Sequence, residues 1–436
     1  MNTLSSVKPC SYPAAQPRST DYSLWVNGEP VDALLAEKAD FAVFECTGPV
    51  TIAIAAASDA AGTQVKPLSR NIVPSLDGRA IRFQIDGPQF LCVDVPGLKP
   101  FFIYANAPEV EKPSPRDAGV HYFAAGRIYE AGEITLKTGE TLYIEAGAVV
   151  RGFVRATGAD RVSIRGQGIL DGRHHDYSKG DRVRSVVFEQ CTHVHVADII
   201  MIEPTSWMLV FGCCQDVHVT GLKQIGSCMS SDGIDVCASR DVLIENCCLR
   251  NDDDNIAVKA GIFDKTRRWE GNIENVHVRH CVFLNGQPGN AMEIGYELST
   301  DRVSNIVFED IDVINAHGDG AVFSIHNGDR AIVENIRWEN IRVEHYWDKL
   351  VDFRVVRSRY NRDAERGIIR NIHLKNIRVV HAYFNPGCSV SLISGYNAKK
   401  PVRDVIIEDF YLNDQKITSA DELELHTRNA EGIRFL

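Results

Sequence analysis

From about residue 190 onward the chain repeats a seven-residue phrase in which apolar and polar positions alternate. The phrase opens on Asn or Asp, once on His, carries aliphatic residues at its second and usually its fourth position, and closes on Ile, Leu, Phe or Cys. Copies start at residues 193, 216, 241, 275, 305, 335, 371 and 404. A period of two is typical of β-strands, and recurrence every 23 to 36 residues indicates a solenoid.

A single repeat is too small to bury its own apolar side chains, so we expect successive repeats to stack into a coil. The pattern therefore predicts an all-β fold built as a parallel β-helix, with its first coils in the strand-like residues 132–172. The seventh positions should form an internal ladder, which would account for Cys247 and Cys281 without any chemistry. The Asn and Asp residues at the first position are predicted to hydrogen-bond the backbone at turns.

Residues 20–108 contain strand-like segments between Gly, Pro, Asn and Asp turns, but no matching repeat. This spacing predicts a small N-terminal β-sandwich domain over 20–108. The stretch PEVEKPSPRD, residues 108–117, is rich in proline and charge and is interpreted as a linker. The β-helix domain is then predicted over 118–436.

Charge and hydropathy argue against some classes of binding partner. Lys and Arg total 47 against 58 Asp and Glu, a formal charge of −11 that argues against nucleic acid and anionic membrane surfaces. The chain has no apolar run of the roughly 18 residues that a spanning helix needs. Its first residues lack the apolar core of a secretory signal, so we expect a cytoplasmic protein, or a secreted one if a leader has been removed.

The twelve cysteines form no CxxC pair, and most are expected to be buried thiols in a reducing compartment. The sequence gives no reason to expect a resident metal or a cofactor. It does not indicate the oligomeric state.

Candidate chemistry lies on three consecutive coils, which carry SSDGIDV (230–236), NDDDNIAVK (251–259) and PGNAMEIGYE (288–297). Asp232 precedes Asp253 by 21 residues, close to one repeat, so their carboxylates are expected to face each other across coils about 4.8 Å apart. Paired carboxyl groups suit glycosidic hydrolysis, which needs a protonated acid and an ionised base, and crowding raises the pKa of one member. A calcium site is the alternative interpretation of such an acidic cluster.

The pair SSDGIDV and NDDDNIAVKAG resembles the signatures of the polygalacturonase family, glycoside hydrolase family 28, where Asn-Thr-Asp-Gly-Ile-Asp precedes Gly-Asp-Asp-x-Ile-Ala-x-Lys by one coil. PTSWMLVFGCCQDVHV also resembles that family's Pro-x-Trp coil. The resemblance implies a right-handed β-helix and hydrolysis with inversion. It implies that Asp253 is the general acid and that Asp232 and Asp254 hold and deprotonate the water. Lys259 matches the lysine that closes the motif, whereas Asp252 replaces a glycine and has no assigned role.

Two departures from the family pattern bear on the substrate. Where pectin hydrolases carry Gly-His-Gly, this chain has Gly289, Asn290 and Ala291, and where they carry Arg-Ile-Lys it reads GDGAVFSIHN. An arginine clamp is the usual way to hold a carboxylate, so we expect a neutral or non-galacturonate sugar. The N-terminal β-sandwich also resembles that of the dextranase and isopullulanase family, whose substrates are neutral α-glucans.

Further residues on the same coils are candidates for binding the sugar. Glu293 lies between Met292 and Ile294 in a predicted strand, so it should face away from the core and reach sugar hydroxyls. Trp347 is expected to stack on a sugar face. The full set of predicted substrate-binding residues is Trp207, Lys259, Asn290, Glu293, Glu297, His326, Trp347 and Arg354.

The leading hypothesis is an inverting glycoside hydrolase with a three-Asp site, acting on an oligosaccharide or polysaccharide. A calcium-dependent polysaccharide lyase is one alternative, which chelation and an ultraviolet-absorbing product would reveal. A non-catalytic carbohydrate-binding solenoid is another, which binding without turnover would reveal. If the protein is cytoplasmic, short imported substrates are expected, and the turn segments 262–274 and 355–370 are predicted to close one end of the groove.

Overall fold

The computed structural model describes residues 6–180, 182–263, 268–380 and 389–436. It confirms the all-β class and the right-handed parallel β-helix. Helix in these residues is limited to short 3-10 turns, at Leu68–Arg70, Gly172–His174, Tyr177–Lys179 and Asp421–Leu423. No helix within the described ranges has the length and apolarity to cross a membrane.

Two mostly antiparallel sheets precede the coil and share a hydrophobic core. The strands of the first sheet are Val7–Pro9, Ala33–Leu35, Asp40–Cys46, Gln64–Lys66, Gln89–Asp94 and Phe101–Asn106. Those of the second are Tyr22–Val26, Glu29–Val31, Val50–Ala56, Ser75–Asp77 and Ala80–Ile85. The domain boundaries at residues 108 and 118 stay predictions.

The coil itself is one continuous set of 29 strands, arranged as three parallel sheets. The sheet that we call the groove sheet contains Ile128–Leu136, Val149–Thr157, Val186–Glu189, Leu209–Gly212, Ile234–Cys237, Ile256–Ala260, Met292–Leu298, Ala321–Asn327, Lys349–Val355, Val390–Ser394 and Leu425–Arg428. The outer sheet contains Val120–Phe123, Thr141–Ile144, Asp160–Arg165, Thr192–Ala197, Gln215–Thr220, Arg240–Glu245, Ile273–Arg279, Arg302–Ala316, Ile332–Val343, Ile368–Val379, Val402–Leu412 and Ala430–Phe435.

The third sheet, the sandwich-facing sheet, is shorter. Its separate strands are Ile169–Asp171, Ile200–Ile202, Lys223–Ile225, Cys248–Asn251 and Val282–Asn285, and the ends of the long outer strands continue it. Gln415–Lys416 pairs antiparallel with the last long strand, and Ile262–Phe263 with Arg268–Trp269 forms a separate hairpin.

The repeated phrase follows one turn of this coil. Its first residue has positive φ in every copy, as at Asn305 (57°) and Asn335 (59°), and so does its sixth, as at Asn340 (56°). Asn and Asp tolerate the left-handed region better than other residues with a side chain, which explains the pattern. The predicted side-chain bonds to the backbone were wrong at the later coils: the Asn335 amide donates to Asn305 at 3.2 Å, one coil earlier.

The seventh positions form the predicted internal ladder. All are buried in one continuous core: Ile199, Leu222, Cys247, Cys281, Ile311, Ile341, Ile377 and Phe410. Eleven of the twelve cysteines lie in the described ranges; ten of them are buried and Cys213 is half-buried. Packing therefore accounts for their positions.

The N-terminal sheets cover the outward face of the sandwich-facing sheet. Phe102 and Tyr104 from the first sheet pack with Ile225, Cys248 and Ile314 in one apolar cluster. Removal of this surface from water contributes roughly 25 cal/mol per Å² of apolar area. The groove sheet follows the sandwich-facing sheet around the coil, and the first residues of two of its strands, Ile128 and Val149, also join this cluster.

Candidate active site

The acidic residues of the two motifs lie in equivalent turns on adjacent coils. Each turn leads from the sandwich-facing sheet into the groove sheet: Asp232 precedes the strand Ile234–Cys237, and Asp252 to Asp254 precede Ile256–Ala260. The two strands pair in parallel with Ile234 opposite Ile256. The coil geometry therefore brings the two turns side by side, as predicted.

Three of these side chains converge. Asp232, Asp253 and Asp254, which we call the acid cluster, each present a carboxylate oxygen within 4.8 Å of the others. Asp232 and Asp254 are buried, whereas Asp253 is half-buried. The neighbouring turn has to approach closely, because a Cβ on Gly289 would stand 2.0 Å from the carbonyl carbon of Asp253.

Lys259 holds the cluster together from the groove sheet. Its Nζ lies 2.5 Å from Asp232 Oδ2, 3.0 Å from Asp235 Oδ1 and 3.9 Å from Asp254 Oδ2. Burial lowers the pKa of Lys259, but these carboxylates outweigh burial and raise it well above its usual value. Lys259 is thus a permanent cation that neutralises part of the cluster, rather than a group free to bind sugar.

Asp235 is a member of the site that our sequence reasoning missed. It is fully buried, its Oδ1 accepts a hydrogen bond from Lys259 at 3.0 Å, and burial raises its pKa well above the usual range. Its signal in the sequence was its position in SSDGIDV, where it is the second acidic residue and alternates with the buried Ile234 and Val236.

Asn290 fixes the orientation of Asp254. Its backbone N–H and its side-chain amide both donate to Asp254 Oδ1, at 2.8 and 2.9 Å. Its own amide oxygen accepts from the N–H of Ala321 at 2.8 Å. Asn290 is buried, so the structure gives it a positioning contact and not the sugar contact that we predicted.

The members of the acid cluster differ in proton affinity. Burial, with the charges of Asp232 and Asp254, raises the pKa of Asp253 to about 10. Burial also raises the pKa of Asp254 to about 7, against the opposing charge of Lys259. At neutral pH Asp253 is therefore a neutral carboxylic acid able to donate a proton, while Asp254 gains and loses its proton within the working range.

Glu293 does not lie where the sequence predicted. It faces away from Met292 and Ile294, as the alternation requires, but it is fully buried instead of exposed. Its carboxylate accepts from the hydroxyl of Ser324 and from Nδ1 of His326, the latter at 2.9 Å. The predicted exposure of Glu293 was therefore wrong, and its contact with sugar hydroxyls stays a prediction.

His326 is also buried, at the centre of a charged network on the groove sheet. Its second nitrogen lies 3.1 Å from Asp352 Oδ2, and Arg354 binds both oxygens of Asp352. Burial lowers the pKa of His326, but Glu293 and Asp352 outweigh it and raise the pKa to about 9. We call Glu293, His326, Asp352 and Arg354 the histidine network; the contact of His326 with sugar stays a prediction.

The remaining predicted sugar-binding residues take different positions. Trp207 is half-buried with its ring centroid 4.3 Å from Nζ of Lys259. Glu297 is half-buried, and burial raises its pKa against the charge of Lys259. Trp347 packs on His317 with ring centroids 4.4 Å apart, and its stacking on a sugar face stays a prediction.

Asp252, unexplained by the motif, points away from its two neighbours. It pairs with Arg250 at 2.8 Å and approaches Lys38 of the N-terminal sheets at 3.9 Å. Arg250 in turn donates to the carbonyl of Gly226. Asp252 therefore links the turn that carries the acid to the N-terminal sandwich, and the extra charge is neutralised there.

Residues 123–352 match the profile of the Glycosyl hydrolases family 28. That segment is more than half of the 436 residues and contains the acid cluster, Lys259 and Asn290. The chain belongs to this family, as the motifs predicted.

Individual relatives are distant and match in part. The chain is 23% identical over 189 residues to a polygalacturonase of Chamaecyparis obtusa, covering 35% of this chain and 37% of that protein. It is 31% identical over 149 residues to the probable exopolygalacturonase C of Aspergillus terreus, covering 31% and 30%. The chain thus spans about a third of the length of these curated relatives.

Among solved structures, Dex49A from Penicillium minioluteum superposes with a TM-score of 0.70 at 13% identity, over 96% of both chains. The family 28 exopolygalacturonase of Yersinia enterocolitica gives 0.51 at 13% identity, over 99% of this chain and 98% of that one. At such identities the likeness is one of fold, and it extends through the N-terminal sheets as well as the coil.

Proposed function

We propose that the protein is a glycoside hydrolase that cleaves an O-glycosidic bond in a neutral sugar, or at least in one that is not galacturonate. The acid cluster carries the proposal. Its three carboxyl groups lie within 4.8 Å of one another, and at neutral pH one keeps its proton while another ionises. Glycosidic hydrolysis requires this pair of states, and membership in family 28 agrees with it.

Each group has a distinct part in the proposed reaction. Asp253 gives its proton to the glycosidic oxygen as the bond from that oxygen to the anomeric carbon breaks. Asp232 and Asp254 hold a water, whose oxygen bonds to the anomeric carbon and whose proton passes to the carboxylate base. Lys259 favours the ionised form of Asp254 and lies 2.5 Å from Asp232, and Asn290 fixes Asp254 through two hydrogen bonds.

Inversion at the anomeric carbon is proposed from the family motif. Inverting enzymes usually separate their two carboxyl groups by about 6.5–9.5 Å, which leaves room for the water. The oxygens of the acid cluster lie closer together than that. The proton NMR signal of the newly released anomer decides the question: the opposite configuration supports inversion, and the same configuration rejects it.

The preference for a sugar without a carboxylate follows from how the cations on the groove sheet are bound. Lys259 is surrounded by aspartates, His326 lies between two carboxylates, and both oxygens of Asp352 engage Arg354. A uronate carboxylate that took over Lys259 or His326 would break one of these buried pairs, at a cost of several kcal/mol. A neutral sugar only needs hydrogen bonds.

The test is a panel of neutral oligosaccharides beside oligogalacturonides, with products separated by chromatography. We expect cleavage of at least one neutral linkage and much slower cleavage of oligogalacturonides. Cleavage of oligogalacturonides alone would reject the proposed substrate class. A folded protein that cleaves nothing in the panel would reject the hydrolase itself.

A calcium-dependent lyase is the second candidate, because three oxygen ligands converge in the acid cluster. Against it, Lys259 already places a positive charge among these oxygens, 2.5 Å from Asp232. A lyase would lose activity with a chelator and form a product that absorbs in the ultraviolet. We expect neither result.

A further inference from the structure

We infer that the site takes only the terminal sugar of a chain and releases monosaccharides, because side chains close the groove on one side of the acid cluster and leave a planar surface on the other. This inference rests on the proposed function and adds the mode of attack. It depends on two features of the groove sheet, one in the coils before the acid cluster and one in the coils after it.

The closed side begins with Trp269, which reaches back over the preceding coils. Its ring is fully buried, and its Nε1 donates to Glu189 at 2.9 Å. It lies against Gly212, where a Cβ would stand only 2.3 Å from that nitrogen. Trp269 thereby covers Val187 and Val210, two apolar side chains on the outward face of the groove sheet.

Arg184 and Trp207 continue the closure up to the acid cluster. The guanidinium carbon of Arg184 is 5.2 Å from the ring centroid of Trp269 and 4.4 Å from that of Trp207. Trp207 then stacks on Lys259 at 4.3 Å, and Lys259 bonds to Asp232. We call Trp269, Arg184 and Trp207 the tryptophan wall.

The other side of the acid cluster offers an open planar surface. Tyr296 stacks on His326 with ring centroids 4.3 Å apart and planes at 1°, and Tyr360 lies 5.8 Å from Tyr296. Tyr360 is 40% exposed, and the side chain of Arg354 is 31% exposed. Flat, amphipathic side chains of this kind suit the apolar face of a sugar ring.

The loop that carries Tyr360 is anchored. Asp329 is fully buried and accepts the backbone N–H groups of Arg362 and Asp363, both at 2.7 Å, and that of Leu298 at 3.1 Å. The planar surface is therefore held in place before substrate arrives, which lowers the entropy cost of binding.

The tryptophan wall and the planar surface together limit how an oligosaccharide can lie in the groove. A sugar positioned between Asp253 and the bases meets the tryptophan wall, which is packed into the protein and hydrogen-bonded to the coil. The remaining sugar units of the oligosaccharide can bind only over Tyr296 and Tyr360. Internal cleavage needs chain on both sides of the acid, so this arrangement permits attack on a terminal residue alone.

The closing experiment uses a panel of neutral hexasaccharides, each labelled at its reducing end with 2-aminobenzamide, and analyses the products at low conversion. We expect one initial labelled product together with monosaccharide. A ladder of labelled products of several lengths would overturn the inference while leaving the hydrolase intact. Absence of any cleavage would overturn the proposed function, and the inference with it.

Two variants extend the test to the residues involved. Trp207→Ala should open the wall, so that products longer than a monosaccharide appear among the first released. Tyr360→Ala should lower kcat/KM for a hexasaccharide by about two- to tenfold relative to a disaccharide, the loss of one stacking contact. Trp25→Ala is the control, because this exposed tryptophan lies on the second N-terminal sheet and contributes to neither feature. Unchanged products and unchanged ratios in both test variants would contradict the assignment.

Discussion

Two groups of buried charge lie on the same face of the groove sheet, and they differ in their balance. In the acid cluster, three carboxyl groups and the adjacent Asp235 share one cation, Lys259. In the histidine network, two carboxylates face two cations. The acid cluster lies in the turns that enter the groove sheet, whereas the histidine network lies within its strands.

The pKa values follow this balance. Burial raises the pKa of Asp253 and of Asp254, and one lysine is too little to reverse it. For Asp352 burial acts in the same direction, but His326 and Arg354 outweigh it and lower the pKa. A balanced group stays fully ionised and holds the coils together, whereas an unbalanced one keeps a proton that it can donate.

The largest effect is expected from removing that proton. Asp253→Asn should lower kcat by about 10²–10⁴-fold with the fold intact, because an amide cannot act as the general acid. Activity is measured on the best substrate of the panel, and folding by circular dichroism. Asp252→Asn is the matched control: its side chain pairs with Arg250 away from the cluster, so kcat should stay within a few-fold of wild type. Equal losses in both variants would contradict the assignment.

Removing the single cation should affect both stability and pH dependence. Lys259→Met leaves buried carboxylates without a partner and should cost about 3–5 kcal/mol in the free energy of unfolding. Because Lys259 lowers the pKa of Asp254, its loss should also move the acidic limb of kcat/KM, expected near pH 7 in wild type, to higher pH. Denaturant titration and a pH–rate profile measure the two effects; a limb that stays in place would show that Asp254 is not the base.

The balanced network should respond differently. Asp352→Asn removes the partner of His326 and Arg354 and should cost roughly 2–4 kcal/mol of stability. It should leave the acidic limb of kcat/KM within a few tenths of a pH unit of its wild-type position. A shift as large as that of the lysine variant would mean that the two groups titrate as one.

The raised pKa of Asp253 also predicts a stability effect with a defined sign. A carboxyl group whose pKa rises on folding stabilises the native state least at high pH, because stability falls from about pH 4 until the pH passes its folded value near 10. Asp253→Asn removes this loss, so its Tm advantage over wild type should grow across that range. A Tm difference independent of pH would mean that Asp253 is already ionised.

The smallest effect concerns the scaffold alone. Asn335→Ala leaves a residue without an amide side chain at φ 59° and removes two hydrogen bonds between coils, the one that Asn335 donates to Asn305 and the one that it accepts from Asn371. The expected cost is about 1–2 kcal/mol, with kcat unchanged. Asn335→Gly, which accepts this φ freely, should recover part of the stability; if it does not, the hydrogen bond outweighs the conformational term.

Much of this structure could be predicted from local sequence. The alternation of apolar and polar residues predicted the strands, and the apolar seventh position of each repeat, such as Ile341 and Ile377, predicted the core ladder. Both features depend on periodicity within one coil. The acid cluster followed from motif spacing, because adjacent coils must align in register. The side of the sheet on which Glu293 lies was also predicted correctly.

What covers a side chain was harder to predict. Tyr296 stacks on His326, the partner of Glu293, and Tyr360 packs against Tyr296 from a turn that begins more than 60 residues after Glu293. Trp269 likewise folds back over coils that precede it by 80 residues. Long turns carry no periodic pattern. The sequence therefore indicated which charged residues lie in the groove, but not which side chains from distant turns cover them.

The proton on Asp253 at neutral pH is the central claim, and carbon NMR of protein labelled at the aspartate carboxyl carbons tests it most directly. A carboxyl resonance that is protonated at pH 7 and titrates only as the pH approaches 10 should be present in wild type and missing from Asp253→Asn, whereas the resonance of Asp254 titrates near pH 7 in wild type. If every aspartate carboxyl is already ionised at pH 7, or if the resonance that titrates near pH 10 persists in the variant, Asp253 is not the acid.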